Sequence, residues 1–201
     1  MDNKRVAREL IKLAKELTKP NKTAASGHAH PNGGGWVDDT AEVDDSAFIG
    51  PDAKVTDNAQ VSGSAIVSGN AIVYDNAVVS DNAQVTGDAQ VSGNAQVNGN
   101  AEVYGNAEVT GDARVYDSAL VKDKAIVSGS EIVPGDAKVT GDAWVYGNAE
   151  VTGKAWVTGD AQVKDNAKVS GDAQVKDNAE VTGNAVVYGK AIIDGDMEIT
   201  E

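Results

Sequence analysis

Asn94-Ala95-Gln96-Val97-Asn98-Gly99 is followed at once by Asn100-Ala101-Glu102-Val103-Tyr104-Gly105, and then by Asn106-Ala107-Glu108-Val109-Thr110-Gly111. The same six-residue phrase fills residues 40–201 as 27 consecutive hexads, with no insertion or deletion. Its fourth place is Val except at Ile49, Ile193 and Ile199, and its second is Ala except at Glu131 and Met197. An unbroken short period is the signature of a solenoid. Val is β-branched and suits an extended backbone. Side chains alternate along a strand, so Val and its two neighbours point to opposite faces. The following pair, Gly or Asp and then Asn, Asp, Ser or Lys, is turn chemistry, with Gly and Asn tolerating positive φ there. Each hexad therefore reads as one short strand and one bend. Its Val is buried only when hexads stack along an axis.

In this register the chain resembles the left-handed parallel β-helices built from hexapeptide repeats, whose motif is an aliphatic residue, two variable places, a turn residue and a small residue. Val97-Asn98-Gly99-Asn100-Ala101-Glu102 fits that motif, and the likeness runs from Trp36 to Glu201. The resemblance implies an all-β solenoid with triangular coils of 18 residues, hence nine coils. At ~4.8 Å between neighbouring strands the prism would be about 43 Å long. Such a hand runs against the usual right-handed crossover; it comes from the resemblance and not from the period.

Composition suits a solenoid. One Phe and no Cys among 201 residues would make a thin globular core, but a prism needs only a seam of Val and Ala. Without Cys there are no disulfides and no thiolate metal sites. No apolar run approaches a membrane span. Lys4, Arg5, Arg8, Lys12 and Lys15 interrupt any signal-peptide core, so cytoplasmic synthesis without export is expected.

Three regions follow. In residues 1–19, Val6, Leu10, Leu13 and Leu17 are spaced 4, 3 and 4 apart, which predicts one amphipathic α-helix preceding the solenoid. Asp2 can cap its start, and Pro20 follows its end. Six basic residues against Asp2, Glu9 and Glu16 give this helix +3, whereas the whole chain carries −14. An isolated helix of this length is marginal in water. It should therefore pack on its own copies, on an end of the prism, or in a larger assembly. Arg5-Val6-Ala7-Arg8-Glu9-Leu10 and Ala14-Lys15-Glu16-Leu17 are similar in style to N-terminal segments of tailed-phage virion proteins, which implies a place in a virion. Residues 20–35 read as a flexible Gly/Pro/Asn linker, and residues 36–201 form the repeat domain.

Catalytic chemistry finds little to use. The resemblance implies acyltransferase or zinc carbonic anhydrase activity only where histidines and coil-interrupting loops supply it. Here the two histidines are His28 and His30, both upstream of the repeat, and no loop interrupts a coil. Alternating His can chelate a metal, but no third ligand accompanies them. Asp44, Asp45 and Asp57 stand where turns favour Asp for structural reasons. The expectation is no enzyme, with no catalytic, cofactor or metal residues. Ice binding would need ladders of paired Thr, yet Thr never precedes Val in any hexad, and the column through Thr56, Tyr74 and Ser92 is mixed.

The outward place before Val is mostly Gln, Glu or Lys. Apolar exceptions cluster at Ile66, Ile72 and Val78, then at Leu120, Ile126 and Ile132 three coils further on; Val186 repeats Ile132 at the same interval, Trp144 stands above Ile126, and Trp156 lies beyond. Together with Val6, Leu10, Leu13 and Leu17 these are the candidate partner contacts, because apolar patches on a surface usually meet a partner. The expected function is a non-catalytic structural or assembly protein, a rigid acidic rod held through its N-terminal helix. It should be a homo-oligomer, a trimer first, that binds neither nucleic acid nor membrane. The alternatives are a surface module for glycan or ice, and an acyltransferase relative that has lost its site.

Overall fold

A computed structural model describes residues 26–200 of the chain. The helix expected over residues 1–19, with Val6, Leu10, Leu13 and Leu17, lies outside the described residues. From Trp36 onward the backbone repeats one strand per hexad, usually only two residues long, as in Gln96–Val97. Strands pair in parallel with those 18 residues away: Gln96 lies beside Val78 on one side and Arg114 on the other. Three sheets result, one of eleven strands and two of nine, each advancing by every third strand. The architecture is a three-sided parallel β-solenoid of about nine turns with 18-residue coils. We name the sides by their first residues as the Trp36, Glu42 and Phe48 faces.

The inside is as the alternation demands. Fourth-place Val and second-place Ala are sealed from solvent through most of the rod, Val97 and Ala95 both at 0 % exposure. The third-place residue between them points outward. Between one strand and the next, a second-place N–H closes a four-residue turn on a fifth-place carbonyl, as Ala101 does on Asn98 at 3.4 Å. The first central residue of that turn, the sixth place, has positive φ at every position from Asp57 to Gly195. Only Gly and Asp occupy it.

Positive φ, which Gly adopts freely and Asp tolerates, underlies that restriction, and the coils also stack closely at this place. A Cβ built on Gly99 would come within 2.9 Å of the Asp117 backbone one coil on. Asp converts the close approach into a hydrogen bond. Asp81 Oδ2 accepts the N–H of Gly99 at 3.0 Å, and Asp117 does the same for Gly135 at 3.1 Å. All seven Asp residues with positive φ accept in this way from the coil that follows. First-place Asn side chains add ladders along the axis, such as Asn76 to Asn94 to Asp112.

Of the stretch read as a linker, residues 26–35 fall within the described part and form a hairpin. The strand Gly27–Ala29 runs antiparallel to Trp36–Asp38 and extends the Trp36 face by one strand. Asn32 ties the turn to the next face: its carbonyl accepts the N–H of Ile49 at 3.0 Å, and its Nδ2 donates to the Ala47 carbonyl at 2.9 Å. His28 is exposed, 3.6 Å from the Asp39 carboxylate, while His30 is buried and its Nδ1 accepts the Asn32 N–H. The two imidazoles thus occupy different environments.

Candidate functional site

The outward apolar residues are not gathered on one side. Ile72 lies on the Trp36 face, Val78 on the Glu42 face and Ile66 on the Phe48 face, so this trio circles the rod once. Ile126, Ile132 and Leu120 make a second girdle in the same way, three coils and about 14 Å further on. Along each face polar residues separate the two girdles, as Gln84 and Glu102 separate Ile66 from Leu120. All six side chains are half-buried. The girdles therefore do not combine into one broad apolar face.

The two outward tryptophans differ sharply. Trp144 stacks over Ile126 in register, but its ring is 2 % exposed and meets Tyr146 edge to face at 6.3 Å between centroids. It belongs to the packing of the rod rather than to its outer surface. Trp156 is 42 % exposed. Its Nε1 donates to Thr140 Oγ1 at 3.0 Å, and Thr140, itself buried, donates to Thr158 Oγ1 at 2.9 Å.

Each corner carries a trough parallel to the axis, because the inward second-place Ala leaves a gap between the first-place and third-place columns. At the Phe48 face the trough encloses about 490 Å³ between Ser118, Asp136 and Lys154 on one wall and Glu102, Leu120, Lys138 and Trp156 on the other, with Ala119 as floor. Its counterparts beside Trp144 and beside Arg114 and Ile132 enclose about 270 and 350 Å³.

Above Trp144 lies a polar cluster that repeat reading passes over, because its members occupy different hexads. Tyr146 and Lys164 stack in one column, and Lys164 Nζ pairs with the Glu180 carboxylate. Burial pushes the Tyr146 hydroxyl up. Burial works against the Lys164 ammonium, but the hydrogen bond it donates to Glu180 and the charges of Tyr146, Glu180 and Asp165 outweigh that cost, and its pKa rises. The Thr182 hydroxyl and the Gly183 N–H hold the Asp165 carboxyl below its usual range. All three shifts lead away from neutrality and keep Lys164 and Asp165 charged and Tyr146 neutral near pH 7.

The opposite case is Glu131, where the repeat has Ala. Its side chain points into the prism, fully buried, and neither carboxyl oxygen has a hydrogen-bond partner. Burial raises its pKa to about 8; its own backbone N–H lies near enough to offset part of this, though not in the geometry of a hydrogen bond. The sequence shows this residue as a break in pattern; only the inward direction of the second place shows that the break buries an acid. Sealed from solvent, it cannot meet a substrate. Among the described residues no group of three or more His, Cys, Asp or Glu side chains is placed to hold a metal.

The YdcK beta solenoid repeat family matches residues 59–75 and 67–81, both within the regular part of the rod. No curated protein matches the chain. The family match and the coiled backbone agree on one conclusion: the chain is a parallel β-solenoid of about nine turns.

Proposed function

We propose that the chain is a non-catalytic structural rod, left-handed as its hexapeptide resemblance implies, that assembles as a homo-oligomer and is anchored by its basic N-terminal segment. The observation that carries this reading is the unbroken coil. From Trp36 to Ile199 every strand pairs at the same 18-residue interval, and no loop leaves the prism to shape a reaction site. Recognition and catalysis usually draw on irregular loops held by a scaffold. Here the sequence is spent on stiffness: inward Val and Ala, side-chain ladders along the axis, and charge pairs one coil apart such as Lys168 with Glu150 at 3.1 Å. The virion-like style of residues 5–17 supports a place in a phage particle. A trimer is the favoured assembly. Light scattering of the full chain at micromolar concentration should then return about 62 kDa, three times the 20.6 kDa protomer. A mass near a single protomer would remove the assembly role.

A further inference from the structure

We propose that the trough beside Trp156 is a binding site for a neutral, hydroxyl-rich carbohydrate chain. The site stands whether or not the rod oligomerises. A pyranose ring offers an apolar face of C–H groups and a rim of hydroxyls. It therefore needs a flat aromatic surface bordered by both hydrogen-bond donors and acceptors. Trp156 supplies the surface. Its indole N–H is already satisfied by Thr140, which is held in turn by Thr158, so the ring is fixed while much of it stays exposed. A ring ordered in advance loses little freedom when a ligand stacks on it.

The border has the required chemistry. Lys138 and Lys154 present ammonium donors, and Glu102 and Asp136 present carboxylate acceptors, all four exposed along the same trough. Hydrogen bonds from a hydroxyl to a carboxylate, or from an ammonium to a hydroxyl, are charge-assisted. The two charges of each sign cancel, which suits a ligand that is polar without being ionic. A nucleic acid strand could also stack on an indole, but its phosphates would meet Glu102 and Asp136 on a chain of net charge −14. The trough runs parallel to the axis past four successive coils, about 14 Å, which suits an extended chain better than a compact ligand. The equivalent troughs lack the surface: Trp144 is buried in one, and the other has Arg114 and Ile132 instead of a ring.

The test applies the full-length chain, its Trp156→Ala variant and its Trp144→Phe variant to an array of neutral glycans, anionic glycans and single-stranded DNA. Titration calorimetry then follows on the strongest hit, with thermal melts to confirm that each variant is folded. Retention of neutral glycans by the wild type, at least a tenfold loss in Trp156→Ala and little change in Trp144→Phe is the expected result. The proposal is overturned if no neutral glycan is retained, if only anionic glycans or DNA are, or if Trp156→Ala binds as the wild type does. A changed oligomer mass in Trp156→Ala with glycan retention intact would make the ring a subunit contact instead, and would likewise overturn it. Failure here leaves the structural-rod reading to its own measurement of mass.

Discussion

The hexads Asn94–Gly99 and Ser130–Gly135 lie two coils apart on the same face and differ in kind. The first has Ala inside, and its fifth-place N–H, from Asn98, donates to Val115 at 3.0 Å. The second has Glu131 inside, and its fifth place is Pro134, which has no N–H to give to Val151. Its strand pairs with the next coil at Ile132 alone, where neighbouring strands pair at two positions. The turn leading into it has opened. Gly129 has φ 117° and Gly147 above it 92°, against 59–75° at the other sixth places from Asp57 to Gly195. A Cβ on Gly129 would come within 2.5 Å of Glu131 Oε1. The prism thus accommodates an internal acid by widening one corner, at a Gly that no other residue could replace. The departure extends to Gly147 in the coil above, yet the 18-residue pairing continues on both sides of it.

The comparison breaks most severely if an acid is forced into a regular coil. Val109→Asp places a carboxyl among closely packed Val and Ala with no widened corner, and also removes a buried side chain. At pH 8 the combined loss should exceed about 5 kcal/mol, read as a large fall in melting temperature or failure to fold. A modest loss would show that the prism yields to internal carboxyls anywhere.

The reverse experiment sharpens it. Glu131→Ala restores the repeat and removes the buried acid. Folded Glu131 holds its proton up to about pH 8, whereas the unfolded carboxyl releases it near 4.5. Its contribution to stability is therefore fully present below pH 4.5 and is lost as pH rises through 8, at up to about 1.4 kcal/mol per unit. The melting-temperature advantage of Glu131→Ala over the wild type should widen from pH 5 to pH 8.5 and then level off. A difference independent of pH would show that Glu131 titrates normally in the folded rod.

Smaller effects belong to the turns and the outer surface. Asp81→Ala keeps a Cβ at positive φ but removes the acceptor for the Gly99 N–H, and should cost about 1–2 kcal/mol in denaturant unfolding. Asp81→Gly should cost less, because it relieves the backbone as it removes the acceptor. Gln96→Asp, on the outside of a regular coil, should stay within about 0.5 kcal/mol of the wild type. Equal losses for Gln96→Asp and Val109→Asp would refute the assignment of inside and outside.

Much of this was legible because period and packing are the same statement. Val at every sixth residue, with Gly or Asp two places later, leaves little besides a stack of short strands. The 18-residue columns, including Trp144 over Ile126, rest on the family resemblance and not on the six-residue period, and the parallel pairing bears them out. What one column cannot convey is how side chains lean across columns. Trp144 and Trp156 hold the same place in their hexads, yet one is buried against Tyr146, while the other, anchored by the Thr140 hydroxyl, stays exposed. The hairpin at residues 26–35 was hidden for a different reason: Gly, Asn and Pro have the same composition in a tight turn as in a loose tether. The apolar girdles looked like patches because neighbours in sequence sit on different faces.

The constant 18-residue interval also governs how such a chain acquires its structure. Parallel sheets are ordinarily slow to form, since distant segments must meet before any pairing rewards them. Here each added coil closes a loop of the same modest length onto a surface already in place, and the entropic barrier does not grow as the rod lengthens. Growth can begin at any regular coil and spread in both directions, as in other one-dimensional arrays. The corner at Glu131 is then the point where two such advancing fronts couple least well. Hydrogen exchange along the rod should reveal it as the boundary between two separately opening blocks.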